Sequence, residues 1–149
     1  MTTVENCIFC QIASKQAQET TIEHETDNIV IFKDIRPASD FHFLAVTKTH
    51  IPDPKHLTVD HKALIEEMRD SLKLVMERHS SNLVDSLFGF HWPPFNSVKH
   101  LHMHGIHPAS TMGFFKRMIF KPESVWFKTT DYVLANLPPS NVSSENSTN

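Results

Sequence analysis

The stretch Phe95-Asn-Ser-Val-Lys-His-Leu-His-Met-His-Gly-Ile-His-Pro108 sets His100, His102 and His104 at strict alternation. In a β-strand successive side chains point to opposite faces, so these three imidazoles share one face while Leu101 and Met103 take the other. Helical spacing would scatter them around a cylinder, and Gly105 and Pro108 end the element nearby. The segment reads as a strand built to present imidazole. One histidine so placed ordinarily satisfies a local hydrogen bond, but three in register opposite an apolar face ask for more. A polar strand face and a zinc site, with imidazoles converging on one ion, are the readings that the stretch alone leaves open.

Working outward, Ser86–His91 reads as the preceding strand and Trp92-Pro-Pro-Phe95 as a rigid loop into the histidine strand. Upstream, Thr20–Glu25 and Asn28–Asp34 alternate around the turn Asp27-Asn28, a β-hairpin, and His42–Thr47 follows as a third strand after Arg36-Pro-Ala-Ser-Asp40. Val59–His79 carries Leu64, Met68, Leu72, Val75 and Met76 at helical spacing, with Thr58 as N-cap. A sheet with one apolar face needs such a helix to cover it. Cys7–Ala13 reads as a short helix or turn with Phe9 and Ile12 on one face, and a last helix spans about Asp131–Leu137, capped by Thr129 or Thr130.

A chain of 149 residues suffices for one domain with a real core. The formal net charge of −3 and scattered Lys and Arg give no basic stripe, so long nucleic acid is not an expected partner. No secretory signal and no apolar run long enough to span a bilayer is present, so a cytoplasmic or nuclear location with no membrane partner is expected. Residues 138–149 are Ser- and Asn-rich and are expected to form a disordered tail after a domain over 1–137. Cys7 and Cys10 are the only cysteines: a metal half-site, a redox pair, or packed thiols. The redox reading expects the pair after a strand, whereas here it opens the chain, so zinc is favoured.

His100-Leu-His-Met-His-Gly-Ile106 resembles the motif of the histidine triad (HIT) superfamily of nucleotide hydrolases and transferases, with Gly105 at a position otherwise filled by an apolar side chain. Cys7-Ile-Phe-Cys-Gln-Ile-Ala13, Phe32-Lys-Asp-Ile-Arg-Pro-Ala38, His42-Phe-Leu-Ala-Val46 with Lys48-Thr-His-Ile51, and Phe90-His-Trp-Pro-Pro-Phe95 are similar, in the same order, to the nucleotide-binding Hint branch, most closely its third type. The resemblance implies an α+β fold: an antiparallel sheet of about five strands with the long helix on one face. It implies a purine pocket walled by Phe9 and Ile12, Asp34 on the ribose with Phe32 and Ile35 beside it, and Asn96, Ser97 and Val98 near the phosphate. His50 would complete a two-Cys, two-His set with Cys7, Cys10 and His100, the donors a structural zinc prefers, as a brace and not a catalyst. A homodimer is also implied. Other Hint branches carry a phosphate-contacting Asn near the position of Gly89; here Gly89, Phe90 and His91 stand there.

The implied reaction is hydrolysis of adenosine 5'-monophosphoramidates and acyl- or aminoacyl-adenylates to AMP, with no cofactor in the chemistry. His102 would attack the phosphorus and form a nucleotidyl-histidine, with Ser97, His104 and the N–H groups around Ser97 and Val98 stabilising charge on oxygen. The donor of the proton to the leaving amine stays open among His104, Ser97 and water. Rival readings are dinucleoside polyphosphate hydrolysis, DNA deadenylation, a zinc hydrolase holding its metal with all three histidines, and an AMP-binding regulator without catalysis.

Overall fold

The architecture is seen in a computed structural model that describes residues 3–17 and 19–140. Strands β1 (His24–Glu25), β2 (Ile29–Lys33), β3 (Phe41–Thr47), β4 (Leu87–His91), β5 (His102–His107) and β6 (Phe127–Thr129) form one antiparallel sheet in the order β1-β2-β3-β5-β4-β6. The sequence expects about five strands; β6 is the sixth, a three-residue strand too short to alternate visibly. β1 is also shorter than Thr20–Glu25, being limited to His24 and Glu25.

The sheet divides the molecule into two apolar layers. On one side α2 (Lys62–Glu77) lays Ile65, Met68, Leu72, Val75 and Met76 against Ile29, Ile31, Phe43, Ala45 and Met103. Burying side chains of this size contributes about 1.5–3 kcal/mol each before conformational entropy is charged against it. Gly105 lies under this helix: a Cβ there would stand 2.9 Å from the Met76 sulfur, which is why the triad's apolar pattern breaks at that residue. The expected helix from Val59 begins instead as a 3-10 turn (Val59–His61), where Thr58 Oγ1 and the His61 imidazole cap each other's backbone N–H groups. On the other side α1 (Ile8–Ala13) sets Phe9 and Ile12 on Val30, Phe32, Leu44 and Val46.

After β5 come α3 (Phe114–Ile119), β6 and α4 (Thr130–Ala135), the last capped by Thr129 Oγ1, which accepts from Tyr132 N–H. Pro138, the first residue of the expected tail, accepts a 2.9 Å hydrogen bond from Val59 N–H; 141–149 lie outside the described residues.

Candidate active site

Register builds the site. Val46 faces His102 and Leu44 faces His104 across β3 and β5, and Val30 and Phe32 continue the same face on β2. The face then meets α1. The result is a cavity of about 370 Å³ whose apolar wall includes Phe9, Ile12, Phe32, Leu44 and Val98, and whose polar wall is Asp34, Ser97, His102 and His104. Ile35, 92% exposed, forms its rim. Asn96 is buried beside the cavity without lining it, its side-chain carbonyl accepting from Lys99 Nζ at 2.9 Å.

His100 keeps the face of His102, both rings lying against Phe9 of α1 while Leu101 and Met103 pack on the α2 side, but it stands just outside the strand. It precedes β5, because Leu101 N–H bonds to Ile51 O at 2.7 Å and pulls the chain away from the sheet ladder. Its ring turns to the cysteines while its carbonyl stays beneath His102. His102 Nδ1 lies 2.7 Å from that carbonyl, which only accepts, so Nδ1 carries the proton and Nε2 keeps its lone pair. Phe9 stands edge-on to the ring at 5.1 Å and closes it from solvent. Burial lowers the pKa of His102, so the ring is neutral near pH 7.

The neighbouring imidazole takes the opposite polarity. Ala38 N–H donates to His42 Nδ1 at 2.9 Å, and burial pushes the His42 pKa down to about 4, so its one proton sits on Nε2. His42 Nε2 lies 2.8 Å from His104 Nδ1 and donates to it, which leaves the proton of neutral His104 on Nε2. That atom is buried and has no hydrogen-bond partner among the described residues. The site therefore presents a bare nitrogen on His102 beside an N–H on His104. Asp34 stands next to this chain, Oδ2 3.4 Å from His42 Nε2 and Oδ1 accepting from Arg36 N–H at 2.8 Å; each oxygen retains a lone pair for a ligand.

Two of these groups are not singled out by sequence reasoning. His42 shares a strand face with Leu44 and Val46, so alternation from the pocket wall could have found it. His91 follows Gly89 by two residues on β4 and so takes the same face: its ring lies 4.8 Å from His104, its Nε2–H donates to Ile119 O at 3.2 Å, and burial brings its pKa to about 4. Gly89 pairs with His104 on this face, and a Cβ there would collide with Lys128 O at 2.3 Å and the Phe127 ring at 2.6 Å. β6 has taken the space that an Asn would need.

Cys7, Cys10, His50 and His100 converge behind α1, their ligand atoms all within 4.8 Å of one another. Cys10 Sγ is 3.4 Å from both His50 Nδ1 and His100 Nδ1, and the two nitrogens are 3.1 Å apart. Edges of this length suit a tetrahedron around an ion with bonds of about 2.0–2.3 Å. His100 Nε2–H donates to Thr47 O at 2.7 Å, which aims the Nδ1 lone pair at the cluster, the outer-shell arrangement that ligating histidines use. These four residues fit a metal ion. They also separate His100 from His102 and His104, so the three triad rings do not converge on one point.

Residues 6–119 match the family model described as scavenger mRNA decapping enzyme C-term binding. The chain is 44% identical over 136 residues to the adenosine 5'-monophosphoramidase HINT3 of Xenopus tropicalis, covering 91% of this chain and 89% of that one. It is 41% identical over 134 residues to HINT3 of Mus musculus, covering 89% and 81%. Among solved structures, a HIT family hydrolase from Clostridium thermocellum matches with a TM-score of 0.64 at 26% identity, over 70% of this chain and 91% of that one. The chain belongs to the histidine triad superfamily. Within that superfamily its place is in the Hint branch, among the HINT3 proteins.

Proposed function

We propose that this protein is an adenosine 5'-monophosphoramidase, hydrolysing P–N bonded adenylates and related acyl- and aminoacyl-adenylates to AMP. The observation that carries the reading is the 2.7 Å bond from His102 Nδ1–H to His100 O, which holds the other nitrogen unprotonated in the cavity. A neutral imidazole fixed this way is a competent nucleophile at neutral pH. Phe9, Ile12, Phe32 and Leu44 suit a purine, and the free lone pairs of Asp34 suit a ribose diol.

In the first step His102 Nε2 forms a bond to phosphorus as the P–N bond breaks, and the amine leaves with a proton from water. The His104 Nε2–H and the backbone around Ser97 and Val98 donate to the phosphoryl oxygens, each such donor supplying about 10²–10³ in rate. His104 is a donor and not the acid: already neutral and with Nδ1 accepting from His42, it would become an imidazolate if it gave up its proton. In the second step an oxygen from water bonds to phosphorus and the P–N bond to His102 breaks. One water is consumed, its hydrogen on the amine and its hydroxyl on AMP.

Zinc is the ion proposed for Cys7, Cys10, His50 and His100; bound there it would brace α1 against the segment before β5. No step passes through it. A homodimer in the cytoplasm or nucleus completes the proposal, with the oligomeric state read by light scattering. The described residues contain no helix long and apolar enough to cross a membrane. Incubation with AMP-amidate labelled at phosphorus, followed by quenching in base, tests the central claim. Label trapped on His102 and lost in His102→Ala is the expected result, and turnover without any protein-bound label would sink it.

A further inference from the structure

A second cavity, of about 350 Å³, opens on the other side of His104. Asp34, Arg36, Ser97 and His104 line both cavities, so a phosphorus held at His102 and His104 sits at the waist between them. An in-line displacement sends the departing group away from the nucleophile, and with the nucleoside in the first cavity the second is the space left for it.

The far wall of this second space has its own chemistry. Phe95 and Trp126 pack ring against ring, with centroids 4.2 Å apart and planes inclined by 48°, and form an apolar aromatic wall. Lys116 of α3 stands beside them, half-buried, and its ammonium has no carboxylate or hydrogen-bond partner among the described residues. Its charge is felt across the site, since it helps lower the pKa of His42, His91 and His104. The wall offers two cations, Lys116 and Arg36, against one carboxylate, Asp34, whose oxygens already lie against Arg36 N–H and His42. A cation left unpaired beside an aromatic wall is arranged for an anion attached to a flat apolar group.

Resting on the phosphoramidase reading, we propose that this second cavity is the leaving-group subsite and that Lys116 is its specificity-determining residue, selecting aromatic α-amino acids linked to AMP through nitrogen. The ring of such an amine lies on Phe95 and Trp126, and its free carboxylate meets the Lys116 ammonium. Phosphates of a dinucleoside polyphosphate offer the competing anion.

The test uses the full-length protein and four substrates: AMP N-linked to phenylalanine, the same compound as its carboxamide, unsubstituted AMP-amidate, and diadenosine tetraphosphate. Wild type should favour the acid over the carboxamide in kcat/KM, and Lys116→Met should cut that ratio about tenfold, the usual worth of one charge-assisted hydrogen bond. Lys116→Arg should restore most of the ratio. Arg117→Met, which removes one charge from the same helix but lines a different surface, should leave it unchanged. Trp126→Ala should weaken the phenylalanine compounds more than AMP-amidate. Equal loss on all substrates in Lys116→Met, an unchanged ratio, or a preference for diadenosine tetraphosphate would each overturn the assignment while AMP-amidate cleavage leaves the phosphoramidase reading standing. Failure of wild type to cleave any P–N substrate would overturn both.

Discussion

Two clusters meet at His100 and use the same side chain in opposite ways. In the cysteine cluster the His100 ring commits Nε2–H to Thr47 O and turns Nδ1 toward Cys7, Cys10 and His50, as a ligand does. One step along the strand face, His102 commits Nδ1–H to the His100 carbonyl and leaves Nε2 bare, as a nucleophile does. His104 is the third case, Nδ1 accepting from His42 and Nε2–H free to donate. What each imidazole can do is decided by which nitrogen the backbone or a neighbour has already claimed.

The comparison breaks most sharply at His102. His102→Ala deletes the bare nitrogen and should lower turnover on the order of 10⁴-fold, while AMP binding, measured by calorimetry, stays close to wild type. Turnover within tenfold of wild type would show that another group attacks phosphorus.

His42 comes next, because it sets the polarity of His104 through the bond to His104 Nδ1. In His42→Ala the His104 proton is free to move to Nδ1, and the lost donor should cost about 10²-fold in kcat with little change in KM. A KM effect alone would mean that His42 only shapes the pocket. Acid probes the same burial. His42 and His91 have pKa values near 4 in the folded protein against an ordinary 6.5, so between those values the unfolded chain binds protons that the folded one refuses. Stability should be flat above pH 6.5 and fall as pH drops toward 4, by about 3 kcal/mol at most for buried His42, as denaturant melts at fixed metal content will read.

Asp34 offers a smaller effect. Asp34→Asn should weaken adenosine nucleotides about tenfold and 2'-deoxyadenosine nucleotides less, since a carboxylate bridging two hydroxyls loses most when both are present. Equal losses would leave Asp34 as a partner of Arg36 N–H and His42 only.

How far the sequence discloses this site depends on the range of each signal. Strands β2, β3 and β4 and helix α2 alternate or repeat over enough residues to be read locally, and Phe9, Ile12, Phe32, Asp34, Ile35, Ser97, Val98, His102 and His104 all reach the first cavity. The placement of His100 is not local: the Leu101 N–H bond to Ile51 O, a contact between distant segments, takes it off the strand. The tautomers are equally hidden, since they turn on Ala38 N–H and the Thr47 carbonyl. The second cavity joins Asp34, Phe95, Lys116 and Trp126, four residues from separate segments with no common motif.

The smallest expected effect on turnover sharpens the comparison furthest. Removing metal from Cys7, Cys10, His50 and His100 with a chelator should lower Tm by several degrees, because an ion that binds only the folded state adds to its stability. The His100 carbonyl should nevertheless stay under His102, since Leu101 N–H is anchored to Ile51 O independently of the ring. His102, the proposed nucleophile, then keeps its tautomer, and kcat below the new Tm should be nearly unchanged. α1 is less secure: Cys7 is its N-cap and Cys10 lies within it, and the same helix carries Phe9 and Ile12 to the apolar wall of the first cavity. Loosening it should raise KM severalfold and leave kcat alone, and added zinc should return both KM and Tm to their starting values. Loss of kcat on chelation, restored by zinc while KM holds, would instead put the metal in the chemistry and make the two clusters one site.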